Sequence, residues 1–127
     1  MTEPRIFPQV GETWQLISMP ANDADWVNVL ILEVIDDTDG TKIFVSAKII
    51  VTELPVNYSG LNVEINDGGF SSGICSPFVV YLDEPRHFDI RYFQQKRGKL
   101  KNEDWKNVVN NYLKYKKTVE FKHGKKN

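Results

Sequence analysis

The apolar run Val79-Val80-Tyr81-Leu82 ends in Asp83-Glu84-Pro85-Arg86, two carboxylates, a proline and an arginine. The order reads as a buried strand that delivers polar groups at its end. A carboxylate just past such a strand can be partly desolvated, which raises its pKa towards the range a general base needs. Asp83 therefore carries two readings. It could take a proton, or it could accept turn amides ahead of Pro85, and the residues alone favour the second. His87 adjoins these groups, so a metal site of Asp83, Glu84 and His87 is conceivable but weakly signalled. His123 falls in the lysine-rich end and reads as solvated. Cys75, the single cysteine, follows Gly73-Ile74 with no histidine near it in sequence, and reads as a small apolar filler rather than a nucleophile. No phosphate-cradling glycine loop, nucleophile elbow or His-x-x-x-His pair occurs.

A second kind of chemistry lies in the charge. Residues 1–85 hold three basic residues against thirteen acidic ones, whereas residues 86–127 hold thirteen basic against four acidic. The net charge of −1 hides this asymmetry. The basic stretch 86–127, which includes Gln94-Gln95-Lys96-Arg97-Gly98-Lys99-Leu100, could contact phosphates. A solvated helix with a lysine-rich tail explains the same residues equally well. The basic end of one subunit could also meet the acidic end of another.

These groups need elements to hold them. Thr13–Ile17 alternates and predicts a first strand, and residues 18–25 a polar loop. Trp26–Ile35 is dense in Val, Ile and Leu, as expected of a mostly buried strand. Asp36-Asp37-Thr38-Asp39-Gly40 is a hairpin turn, because Asp-Gly tolerates positive φ. Lys42–Val51, rich in β-branched residues, is the return strand. Leu54-Pro55 breaks the pattern; Leu61–Ile65 alternates again; Asn66-Asp67-Gly68-Gly69 turns; Phe78–Leu82 is the next core strand. Residues 88–93 are ambiguous between strand and helical turn. A helix is expected over about 102–115, with Asn102 as cap and Glu103 and Asp104 facing its positive end. Trp105, Val108, Val109, Tyr112 and Leu113 form its apolar stripe and read as core anchors.

The 127 residues predict one domain over 1–116 and a flexible basic tail over 117–127. No apolar run approaches the roughly 18–20 residues of a membrane span, and the N-terminus lacks a signal pattern. One cysteine excludes an internal disulfide framework. A cytoplasmic protein follows as the default. Short strands, tight turns and a terminal helix predict a mainly β fold, a small antiparallel barrel or strongly curved sheet.

The chain resembles the PemK/MazF family, the ribosome-independent endoribonuclease toxins of bacterial toxin–antitoxin pairs. Gly11-Glu12-Thr13-Trp14 resembles the family's Gly-Glu/Asp-Ile/Val-Trp, and Val29-Leu30-Ile31-Leu32 its Pro-Val-Leu-Ile strand. Val79 to Arg86 resembles the PemK branch's Val-Val-Arg-x-Asp-Gln-Pro-Arg, with Phe88-Asp89 where that branch has Ile-Asp. Lys96-Arg97-Gly98-Lys99-Leu100 and the helix resemble its Lys-x-x-Gly-x-Leu and closing helix. The resemblance implies an SH3-like barrel with a C-terminal helix, a homodimer, a cognate antitoxin, and cleavage of single-stranded RNA without metal or cofactor. It assigns Asp83 as catalytic carboxylate and Arg86 as a phosphate contact. Tyr81 stands where the PemK branch has a catalytic arginine. Val27 and Asn28 stand at the Arg-Pro before the second strand, and Ile49 or Ile50 at a Thr/Ser. Tyr81, Lys48 and His87 are possible helpers, and Lys48, Thr52, His87, Lys96 and Arg97 the candidate substrate contacts. The alternative is a catalytically degenerate barrel that binds protein or nucleic acid.

Overall fold

The computed structural model describes residues 7–20, 23–51, 61–75 and 77–124, with side chains to Val119. Six strands and a helix follow in chain order: β1 (Glu12–Leu16), β2 (Asn28–Asp36), β3 (Lys42–Val51), β4 (Val63–Ile65), β5 (Phe78–Asp89), β6 (Phe93–Lys99) and α1 (Asn102–Gly124). A 3-10 turn, Ile90–Tyr92, joins β5 to β6. All pairings are antiparallel, in the order β4-β5-β3-β2-β1-β6.

The run Val29-Leu30-Ile31-Leu32 is buried on both faces, which is why it reads as continuous rather than alternating. Leu30 and Leu32 join an aliphatic core with Val45, Ala47, Ile49, Phe78, Val80 and Leu82, capped by Val108 and Tyr112 of α1. Val29 and Ile31 join an aromatic core of Trp14, Trp26, Phe44 and Phe88. Phe93 meets Trp14 and Phe44 edge-on, at 6.0 and 5.2 Å between ring centroids. The sheet is therefore a middle layer with a helix on one face and an aromatic cluster on the other.

The outer strands β4 and β6 are sealed by the loop of residues 66–75. Asp67 takes the amides of Gly69 (2.8 Å) and Ser72 (2.9 Å), folding the loop on itself. Lys99 N donates to Ser71 O (3.0 Å), Ser71 Oγ to Lys99 O, and Thr13 Oγ1 to Ser72 O (2.6 Å). The backbones approach so closely that only glycine fits. A Cβ on Gly73, itself at φ +70°, would lie 2.1 Å from Arg97 O, and one on Gly98 would lie 2.2 Å from Ser71 O. Burial pushes the Asp67 carboxyl up, but the amides of Ser72 and Gly69 outweigh it and hold its pKa below the ordinary value.

Three expectations are corrected, and one segment gains an element. β5 does not stop at Leu82 but continues through Pro85 to Asp89. The basic segment, for which the sequence predicts no element, is a strand, β6, whose pairing with β1 and the loop does not depend on an apolar face. α1 passes the expected end at Tyr115 and runs to Gly124, so residues 117–124 are helical. No glycine or proline interrupts the chain between Leu100 and Gly124. Lys116 Nζ also bonds Glu33 Oε1 (2.6 Å), pinning this half to β2. Cys75 is exposed, not a core filler. In the apolar stripe, Val108 and Tyr112 are buried, Trp105 and Val109 half-buried, and Leu113 exposed.

Candidate active site

Pairing between β3 and β5 builds the candidate site. Lys48 pairs with Tyr81 and Ser46 with Arg86. Between those pairs β3 contributes Ala47 alone, while β5 contributes Leu82, Asp83, Glu84 and Pro85. The excess bulges outward. Pro85 has no amide to give to the ladder and is tolerated at such an irregularity. Leu82 N instead donates to the side-chain Oδ1 of Asn62 (2.8 Å). Asn62 is 6% exposed, and among the described residues its Nδ2 has no hydrogen-bond partner. Nearby, Asn111 Nδ2 of α1 donates to Leu61 O (3.0 Å), so two asparagines connect the helix to the base of the bulge.

Alternation along the strands places Lys48, Tyr81 and Arg86 on the sheet face that carries the aromatic core. They gather at Trp26. Lys48 Nζ is 5.4 Å from the Tyr81 ring centroid and 5.8 Å from that of Trp26. The Arg86 guanidinium lies 4.6 Å from the Trp26 centroid. Trp26 is only 3% exposed and packs at 5.6 Å on Phe88, so it is a buried floor under two cations. Arg86 Nη1 also bonds Asp23 Oδ1 (2.9 Å) from the β1–β2 loop. Lys48 forms no ion pair among the described residues.

Other candidate residues lie elsewhere. Asp83 is on the bulge between Tyr81 and Arg86, exposed, without a hydrogen bond among the described residues; the desolvated setting expected for it is absent. His87 pairs with Val45 and alternates to the face opposite Arg86 and Phe88, so the structure does not bring it to the cations. Lys96 bonds Glu12 Oε2 (2.9 Å) beside Trp14, and Arg97 Nη2 donates to Gly73 O (3.4 Å); both belong to the β6 seam. Thr52 lies outside the described residues. Among the described residues no three His, Cys, Asp or Glu side chains come together as a metal site.

Trp26 and Asp23 are the participants that sequence reasoning missed. Trp26 read as the first residue of a buried strand and Asp23 as a loop aspartate. The available signal was an indole and an acid beside a strand whose partner carries a lysine, Lys48, in its apolar half. Only the register between β3 and β5 converts that proximity into a site.

Chemically, two cations and a phenol converge over an aromatic floor, with a solvent-facing carboxylate on the adjoining bulge. Such an arrangement suits a phosphodiester: the cations can take its charge, and the Asp83 carboxylate has no protein donor among the described residues to occupy it. Lys48, opposite Tyr81 in the ladder, places a positive charge beside position 81.

No family model and no curated protein sequence matches the chain. Among solved structures it is similar to one described as an endoribonuclease in complex with its cognate antitoxin from mycobacterial species, at a TM-score of 0.65 and 12% identity, covering 87% of this chain and 96% of that one. At that identity the likeness is one of fold: the chain has the six-stranded antiparallel barrel and C-terminal helix of a toxin-type endoribonuclease.

Proposed function

We propose that the chain is the toxin of a toxin–antitoxin system, a PemK/MazF-like endoribonuclease that cleaves single-stranded RNA without metal, works in the cytoplasm as a homodimer and is neutralised by a cognate antitoxin. The observation that carries the proposal is the convergence of Lys48, Tyr81 and Arg86 on one face of a toxin-like barrel.

The reaction balances without a cofactor. Asp83 takes the proton of the ribose 2′-hydroxyl, whose oxygen forms a new bond to the adjacent phosphorus. The bond from phosphorus to the 5′-oxygen breaks, and the leaving oxygen takes a proton from the Tyr81 phenol or from water. The products are a 2′,3′-cyclic phosphate and a free 5′-hydroxyl. Negative charge grows on the phosphoryl oxygens in the transition state, and Lys48 and Arg86 stabilise it there. To do so, Arg86 exchanges Asp23 for phosphate.

The test is incubation of purified protein with mixed-sequence RNA. Cleavage is expected, with cyclic-phosphate ends. Lys48→Ala should lower the rate by about 10²–10³-fold, and Asp83→Ala should abolish measurable cutting. No cleavage by the natural protein, or cleavage untouched by Asp83→Ala, defeats this mechanism. The second reading, a binding module that has lost catalysis, draws on the exposed, ungripped Asp83 and on Tyr81 at the arginine position. Growth arrest on expression, together with RNA cleavage, would count against it.

A further inference from the structure

A cavity of about 230 Å³ has Trp26, the indole of the cation cluster, in its lining. Gln15, Ser18, Met19, Trp26, Val27 and Gln94 line it. Among the described residues, no lysine, arginine or carboxylate does. The lining instead includes two glutamines, each an amide that both donates and accepts. Among the described residues neither glutamine side chain has a hydrogen-bond partner.

Gln94 reaches this position through an irregularity of the ladder. Gln15 pairs with Gln95 and Leu16 with Phe93, so Gln94 stands unopposed as an inserted residue. Bulges of this kind re-aim a side chain and cluster near functional sites. Trp26 belongs to both compartments: it lies beneath Lys48 and Arg86 and forms a wall of the cavity. A charged compartment and a neutral amide-bearing compartment thus share one indole.

That division matches the two halves of a nucleotide. Phosphate contacts position a strand, while base contacts specify it. Single-stranded RNA is read through unstacked bases, hydrogen-bonded along their edges and packed on aromatic rings. Resting on the ribonuclease reading above, we infer that this cavity is a base-recognition subsite: it takes one unpaired nucleobase flanking the scissile phosphate, with Gln94 and Gln15 as its specificity-determining residues. A phosphate is disfavoured there because no cation faces it, and a purely apolar ligand because the amides would be left unpaired.

The experiment maps cleavage ends on mixed-sequence RNA for the natural protein, Gln94→Ala and Gln15→Ala. Gln94 is exposed, so Gln94→Ala keeps the fold; circular dichroism checks both variants. The natural protein should prefer one base at one position, and each variant should loosen that preference by about tenfold. A base preference unchanged in both variants overturns the subsite and leaves the ribonuclease proposal standing. If the natural protein cuts no RNA, the ribonuclease proposal fails and the second arm decides the subsite. There, fluorescence anisotropy is measured on four labelled tetranucleotides differing in one base. Base-dependent affinity that Gln94→Ala flattens supports the subsite; equal affinity for all four overturns it.

Discussion

The seam that closes the barrel and the bulge that carries Asp83 are both departures from a regular ladder, yet they are built in opposite ways. At the seam both acids are gripped. Glu12 accepts from Trp14 Nε1 (2.9 Å) and Gln9 N (2.9 Å) and pairs with Lys96, while Asp67 folds the loop that meets β6. On the bulge, Asp83 and Glu84 face solvent without partners among the described residues, and one asparagine ties its base to β4. Burial pushes the Glu12 carboxyl up, but the bonds from Trp14, Lys96 and Gln9 prevail and hold its pKa below the ordinary value. A carboxylate that is fully satisfied by protein donors has no capacity left for a substrate. The contrast separates structural acids from an available one, and it reassigns Lys96 to the structural set.

The sharpest way to break the comparison is to disturb the seam. Gly73→Ala places a methyl group against the Arg97 carbonyl in a left-handed conformation. It should cost about 3 kcal/mol or more in urea denaturation. A loss under 1 kcal/mol means the seam is looser than the close approach implies. Next comes the base of the bulge. Asn62→Leu strands the Leu82 amide, and should cost about 1–2 kcal/mol, offset in part because it also removes an unpartnered amide. Hydrogen exchange at Leu82 should rise with it; an unchanged exchange rate would show that Asn62 does not hold the bulge.

Acid titration sharpens the distinction further. Glu12 and Asp67 both have depressed pKa values in the folded protein, so they bind fewer protons folded than unfolded. Their stabilisation is present above the ordinary carboxylate range and is lost as pH falls through the folded values. Stability should therefore drop below about pH 4.5, and Glu12→Gln should flatten that drop. The smallest effect belongs to Asp83→Ala, which should change stability by no more than about 0.5 kcal/mol even where cleavage is lost. A large loss of stability would place Asp83 among the structural acids after all.

Sequence patterns predicted the parts whose physics is local. Lys42–Val51 was legible end to end because β-branched residues follow an Asp-Gly turn, and Asp39 does cap it by accepting from Thr41 N (2.9 Å). β2 was legible as a strand because Val29–Leu32 is buried on both faces, although it starts at Asn28 rather than at the expected Trp26. β6 was not, because apart from Phe93 it carries polar residues and is held by backbone pairing and glycine contacts. The continuation of β5 past Pro85 was hidden for a related reason: proline argues against a strand until a bulge removes its missing amide from the ladder. Within the candidate site, Asp83, Tyr81 and Arg86 stood together in the sequence. The partnership of Lys48 with Tyr81, and of both cations with Trp26, depends on a cross-strand register that no local pattern encodes.

The Arg86–Asp23 contact has a consequence for how binding should respond to salt. A lysine or arginine that meets a phosphate ordinarily frees a condensed cation from the nucleic acid, and each such contact steepens the fall of affinity with ionic strength. Arg86 carries a tethered anion of its own, so in the proposed ribonuclease role what it would give up to a phosphate is an aspartate that stays attached to the protein and repels the incoming strand. Affinity at low salt would thereby be held down. Severing the tether with Asp23→Asn should tighten binding most at low ionic strength and make its salt dependence steeper, leaving a protein less able to discriminate a productive strand from any polyanion.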